Sequence, residues 1–235
     1  MRLLDTVTGQ FVSGCEPEYT VYAILSHTWN QEEGEQTYKE LKKIQKRACA
    51  FARANGIAFI WIDSCCIDQS SSSELSEAIN SMYSWYAGAV VCYAFLVDVP
   101  PGEDPAAPDS RFRESRWFER TWTLQELIAP RIVIFLCQDW SVLGSRDRLA
   151  DLVEDITGIS REALLREKSL DEFSVAQRLS WAANRQATRP EDTAYSLLGL
   201  FDIHLPALYG EGNERAFRRL QEEIMRRIPD QSLFA

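Results

Sequence analysis

Three short stretches concentrate the residues whose types could do chemistry. The first is Ser26-His27-Thr28-Trp29. The second runs from Asp63 to Gln69 and holds Asp63, Ser64, Cys65, Cys66 and Asp68. The third carries Arg116, Trp117, Arg120, Trp122 and Glu126. Together they offer carboxylates, hydroxyls, an imidazole, thiols, guanidinium groups and indole faces. A histidine and two cysteines raise nucleophilic catalysis, which needs a base within reach of the thiol and a third group to orient that base. The sequence around Cys65, Cys66 and His27 supplies no context for either requirement. Asp63 with Asp68 raises a phosphoacceptor receiver, but Gln138-Asp139-Trp140 stands where such a site would want a lysine. Each residue also has a plainer role. His27 suits a hydrogen-bonded structural position, Asp63 a loop cap, Trp29, Trp61 and Trp122 the core, and Glu126 a solvated helix edge.

The elements that must position these residues follow from hydrophobic patterning. Tyr19–Leu25 is a β-rich run that leads into Ser26. Ile57–Ile62 is continuously apolar and ends at Asp63, and Ala89–Val97 is a third such run. Runs without alternation suit strands buried on both faces, as in parallel sheets. Helical spacing appears over Tyr38–Asn55, closed by Gly56, and again up to Gly88. Arg116–Ala129 reads as one helix, ended by Pro130 and followed by the strand Ile132–Leu136. On that helix Glu126 shares a face with Trp122, four residues earlier, and with Glu119 a further turn back.

Strands alternating with helices predict an α/β fold with a parallel sheet flanked by helices. Ligands of such sheets bind beyond the carboxyl ends of the strands, which is where all three stretches fall. After Trp140 the pattern turns helical, over Arg146–Ile156, Ser160–Arg166, Val175–Asn184, Glu191–Leu200 and Asn213–Ile228. The reading is an α/β domain over 1–140 with a helical extension over 141–235 packed on it.

Composition narrows the function. The formal net charge is −10, and no basic face of the kind that phosphate neutralisation requires is present, so nucleic acid is not expected as a partner. Six cysteines form no C-x-x-C pair and only two histidines exist, which gives no metal pattern and suits reduced thiols. No apolar run is long enough for a membrane span. The charged start Met1-Arg2-Leu3-Leu4-Asp5 does not suit a signal peptide. A cytoplasmic location is expected. No G-x-G-x-x-G or P-loop glycine cradle occurs.

Tyr22-Ala23-Ile24-Leu25-Ser26-His27-Thr28-Trp29, Trp61-Ile62-Asp63-Ser64-Cys65-Cys66-Ile67-Asp68-Gln69 and Arg120-Thr121-Trp122-Thr123-Leu124-Gln125-Glu126-Leu127 resemble, in order, the three motifs of the fungal heterokaryon-incompatibility (HET) family. Pro190-Glu191-Asp192-Thr193-Ala194-Tyr195-Ser196-Leu197-Leu198-Gly199 and Leu208-Tyr209-Gly210-Glu211-Gly212 resemble the region that follows this motif set in vegetative-incompatibility receptors. The resemblance implies a cell-death effector region, next to a nucleotide-binding oligomerisation module of a larger receptor. Trp122-Thr123-Leu124-Gln125-Glu126-Leu127 is also similar to the W-C-x-x-E-L segment of TIR domains, with Thr123 in place of the cysteine. That similarity implies a flavodoxin/TIR-like fold, activation by self-association, and Glu126 as catalytic for NAD+ cleavage.

In this reading NAD+ or a related nucleotide is the substrate, and no cofactor is required. Ser26, His27, Trp29, Asp63, Arg116, Arg120 and Trp122 form the substrate-binding set. Trp29 or Trp122 would stack on a base, Arg116 or Arg120 would neutralise the pyrophosphate, and Ser26 with His27 would hold ribose or phosphate. The alternative is a non-enzymatic, homotypic signalling adaptor in which the same residues form a structural polar network.

Overall fold

No residue of Tyr22–His27 is exposed, and the same is true of Val91–Phe95. Strands with no wet face need cover on both sides, and the chain provides it with helices between successive strands. The computed structural model describes residues 1–28, 38–230 and 232. Its strands are β1 (Leu3–Asp5), β2 (Phe11–Val12), β3 (Tyr22–His27), β4 (Phe59–Ile62), β5 (Val91–Phe95), β6 (Val133–Leu136) and β7 (Val142–Ser145). They form one seven-stranded sheet in the order β2-β1-β4-β3-β5-β6-β7. The four central strands β4, β3, β5 and β6 run parallel. β1, β2 and β7 add antiparallel edges.

The sheet is therefore mixed, parallel only where helices cover it. In chain order its central strands lie second-first-third-fourth, the flavodoxin arrangement. The three edge strands are too short, and β2 and β7 too exposed, to leave an alternating signal in the sequence.

Helix α1 (Tyr38–Ala54) links β3 to β4 and buries Ala48 and Ala52, while its Phe51 meets Tyr93 of β5 edge-on at 4.9 Å. Gly56 follows at φ +75°, a left-handed turn that stops the helix. A single turn, α2 (Asp63–Cys66), starts at the residue after the end of β4. Helix α3 (Ser72–Gly88) is capped by the Ser71 hydroxyl, which accepts from the Glu74 amide. It buries Ala78, Ile79, Met82 and Tyr86 against the sheet.

The single helix expected over Arg116–Ala129 is two pieces. A 3-10 turn covers Arg116–Glu119, Arg120 is extended (φ −81°, ψ 141°), and α4 spans Thr123–Ile128. The break has a tertiary cause. The Thr121 amide donates to the Gln186 carbonyl at 3.0 Å, and the Gln186 amide to the Glu119 carbonyl at 2.6 Å. This β-like bridge overrides helix continuity, so Glu119 and Glu126 do not share a helical face.

Beyond Trp140 the chain first returns to the sheet as β7, where a helix from Arg146 had been expected to begin directly. It then turns helical through α5 (Ala150–Thr157), α6 (Arg161–Leu164), α7 (Val175–Ser180), α8 (Asp192–Tyr195) and α9 (Asn213–Arg227). These helices share one apolar core with the sheet. Ala216, Leu220 and Ile224 bury one stripe of α9 at four-residue spacing. A Cβ added at Gly199 would sit 2.1 Å from Tyr83 Cβ of α3, so the backbone after α8 packs directly on that helix. No helix among the described residues is long and apolar enough to cross a membrane.

Candidate functional site

Because β3 enters at the middle of the sheet, its neighbours β4 and β5 are reached by connections that run in opposite directions. The carboxyl ends of β3 and β5 therefore flank the topological switch point, where open α/β sheets form their ligand crevice. Ser26 and His27 are the last two residues of β3, level with Ala94 and Phe95 of β5. Glu126 comes from α4, in the connection from β5 to β6.

Glu126 is 5% exposed. Its Oε2 accepts a short hydrogen bond from the Ser26 hydroxyl, and the Tyr86 hydroxyl of α3, which donates to the Leu25 carbonyl at 3.4 Å, lies near enough to feel the carboxyl group's charge. The Trp117 indole donates to Ser26 Oγ at 2.7 Å. An indole N–H can only donate, and a serine hydroxyl carries one proton. With its oxygen accepting from Trp117, Ser26 has that proton aimed at Glu126. Burial, and then the nearby Asp63 charge, raise the Glu126 carboxyl from 4.5 to about 7, against the Ser26 hydrogen bond and the His27 and Arg120 charges. Glu126 thus titrates at neutral pH, the range that suits catalytic carboxyls.

The His27 side chain is fully buried. Its Nε2 lies 3.1 Å from Ser64 Oγ and 3.3 Å from Asp63 Oδ1, both on α2. Burial lowers its basicity, but Asp63 and Glu126 outweigh that and leave it above the usual imidazole value. Ser26, His27, Asp63 and Glu126 are therefore one electrostatically linked group drawn from β3, α2 and α4.

The other expected site residues are placed differently. Arg116 is tied to Asp98, through its backbone amide at 2.9 Å and its guanidinium at 3.8 Å. Arg120 is half-buried and acts on Glu126 through its charge. Trp122 is half-buried, and its indole lies near enough to Asp192 to favour that residue's ionised form. Trp29 lies outside the described residues. Cys65 is pushed well up, first by its hydrogen bond with Cys66 and then by burial, so its thiol stays protonated. Among the described residues no three His, Cys, Asp or Glu side chains gather in a metal-binding group.

Residues 22–104 match the profile of the heterokaryon incompatibility protein (HET) family. The chain belongs to the HET family. Vegetative incompatibility protein HET-E-1 of Podospora anserina is 48% identical over 217 residues, which cover 86% of this chain and 16% of that protein. The chain thus spans a small part of its curated relative. Residues 215–235 match a domain of unknown function, DUF8212. No solved structure matches the chain.

The HET profile contains β3, α1, β4, α2, α3 and β5, and with them Ser26, His27 and Asp63. It stops before Trp117 and Glu126, which complete the same group in space. Three contributors were missed by sequence reasoning. Trp117 stood out only as one more aromatic at the sheet edge. Tyr86 read as a core residue of α3, which it is. Arg185 of the C-terminal region gave no signal, because an arginine between helical segments is ordinarily a surface residue.

Proposed function

We propose that this HET chain is a cell-death effector domain of fungal heterokaryon incompatibility that acts by cleaving NAD+, with Glu126 as the catalytic carboxylate. The observation that carries this reading is the Glu126 carboxyl, buried beside the switch point of the sheet, oriented by Ser26 and titrating near neutrality. The nicotinamide–ribose bond needs no general acid, because the pyridinium leaves as a neutral base. The sugar carbon becomes cationic, as in glycoside hydrolysis, and a water adds to it and gives up a proton to solvent, so that NAD+ and water yield nicotinamide, ADP-ribose and a proton. A preorganised carboxylate facing that cation contributes roughly 3–4 kcal/mol to the barrier reduction. Glu126 ionised supplies the charge, and Ser26 fixes its position. Arg120, already close enough to act on Glu126, is the better placed of the two arginines for the pyrophosphate, since Arg116 is engaged by Asp98.

The TIR-like segment Trp122–Leu127 supports the same assignment, with self-association as the activating event. A nucleotide-binding oligomerisation module in a longer cytoplasmic receptor would provide that association, which fits a relative about six times longer than the match. A second reading, a non-enzymatic adaptor, draws on the closure of the Trp117–Ser26–Glu126 chain, since a satisfied polar network is also a structural device. Expression in a fungal host, following viability and cellular NAD+ together, separates the two. The enzyme reading expects NAD+ to fall before viability and Glu126→Gln to spare both. Death with NAD+ unchanged would instead support the adaptor.

A further inference from the structure

We propose that Arg185, supplied by the C-terminal region, is a positioning residue of the Glu126 site, holding the first turn of α4 and setting the charge against which Glu126 ionises. The inference deepens the proposed function but rests on the geometry of this chain.

Arg185 is 9% exposed and lies just after α7. Its Nη1 donates to the Arg120 carbonyl and to Thr123 Oγ1, each at 2.9 Å, and its Nε to the Trp181 carbonyl at 3.1 Å. Thr123 Oγ1 in turn lies 2.5 Å from the Trp117 carbonyl and 2.9 Å from that of Arg120. The contacts run without interruption from Arg185 to Thr123, to Trp117, to Ser26 and to Glu126. Thr123 stands where the TIR-like pattern has cysteine. A hydroxyl accepts and donates well enough to pass the constraint on, which a thiol does weakly.

Among the described residues Arg185 Nη2 has no hydrogen-bond partner. Burial lowers the Arg185 guanidinium to about 10, and the Glu126 charge works against that fall. Arg185 and Glu126 are thus coupled through charge without an ion pair between them. The groups that bear on Glu126 are His27 from β3, Asp63 from α2, Tyr86 from α3, Cys92 from β5, Arg120 from the segment before α4, and Arg185 from beyond α7. Of these only His27, Arg120 and Arg185 carry positive charge.

The test reads Glu126 directly, so that it does not depend on NAD+ being the substrate. The carboxyl carbon of Glu126 is followed by NMR against pH in glutamate-labelled chain, assigned by its loss in Glu126→Gln. Arg185→Met should raise the midpoint, while Arg185→Lys, which keeps the charge, should stay close to wild type. If both midpoints equal that of the wild type in folded protein, the proposal is overturned. Should Arg185→Met fail to fold, Arg185→Lys decides through turnover, where loss of the planar fork is expected to lower kcat with KM little changed. A lysine variant with wild-type kcat overturns the positioning role. Absence of nicotinamide release in the wild type, with the midpoint shifted in Arg185→Met, would refute the substrate and leave Arg185 standing.

Discussion

Ser26 and Glu126 are 100 residues apart in the chain and share one short, buried hydrogen bond. The β3 end supplies the hydroxyl and α4 the carboxyl, so the bond exists only when sheet and connection are both in place. Trp117 occupies the other side of the same hydroxyl, which leaves Ser26 a single orientation. Ser26 is thereby committed to Glu126.

Removing the indole N–H tests that commitment. Trp117→Phe leaves Ser26 Oγ with an unmet acceptor and is expected to cost about 1–3 kcal/mol of stability. The Ser26 proton is then free to leave Glu126, and kcat should fall more than KM rises. A variant with wild-type kcat, measured where it is fully folded, would contradict the orienting role.

The raised Glu126 carboxyl has a consequence for stability. Below about pH 4.5 the group is protonated both folded and unfolded, and burying it carries no ionic penalty. As pH rises through about 7 the unfolded chain ionises first, and the folded state loses stability. The full loss is about 3 kcal/mol. Glu126→Gln cannot ionise, so it should match wild type near pH 4.5 and exceed it by up to about 3 kcal/mol at alkaline pH. Urea unfolding at the two pH values measures this, and a variant equally destabilised at both would show that Glu126 is not a strained carboxyl.

The same titration sets the pH dependence of turnover. Only the ionised carboxylate stabilises a cationic sugar, so activity should rise with pH through about 7 and flatten above it. A rate that falls over this interval would mean that the protonated acid is the working form.

The sequence made some of this legible and hid the rest for physical reasons. Continuous apolar runs announced β3, β4, β5 and β6, because strands covered on both faces cannot alternate. Their second-first-third-fourth order placed Ser26, His27 and Asp63 at one edge, where sequence reasoning had put them. The two-residue β2 and four-residue β7 carry no periodicity to read. The break at Arg120 depends on Gln186, 66 residues on, and local propensity cannot report a partner so distant. Arg185 is hidden for a related reason: what makes it unusual is its burial, which arises only when the C-terminal region closes on α4. Arg116 sits next to Ser115, and the sequence gives no sign that both residues bond Asp98, 17 and 18 positions earlier.

The central claim is that the Glu126 carboxylate cleaves NAD+. Its most direct measurement is nicotinamide release from NAD+ by the purified chain at high protein concentration, or artificially clustered, beside Glu126→Gln at equal folded concentration. The account predicts a time-dependent release by the wild type that the variant lacks. Equal release by both, or none from the wild type even when clustered, would contradict it.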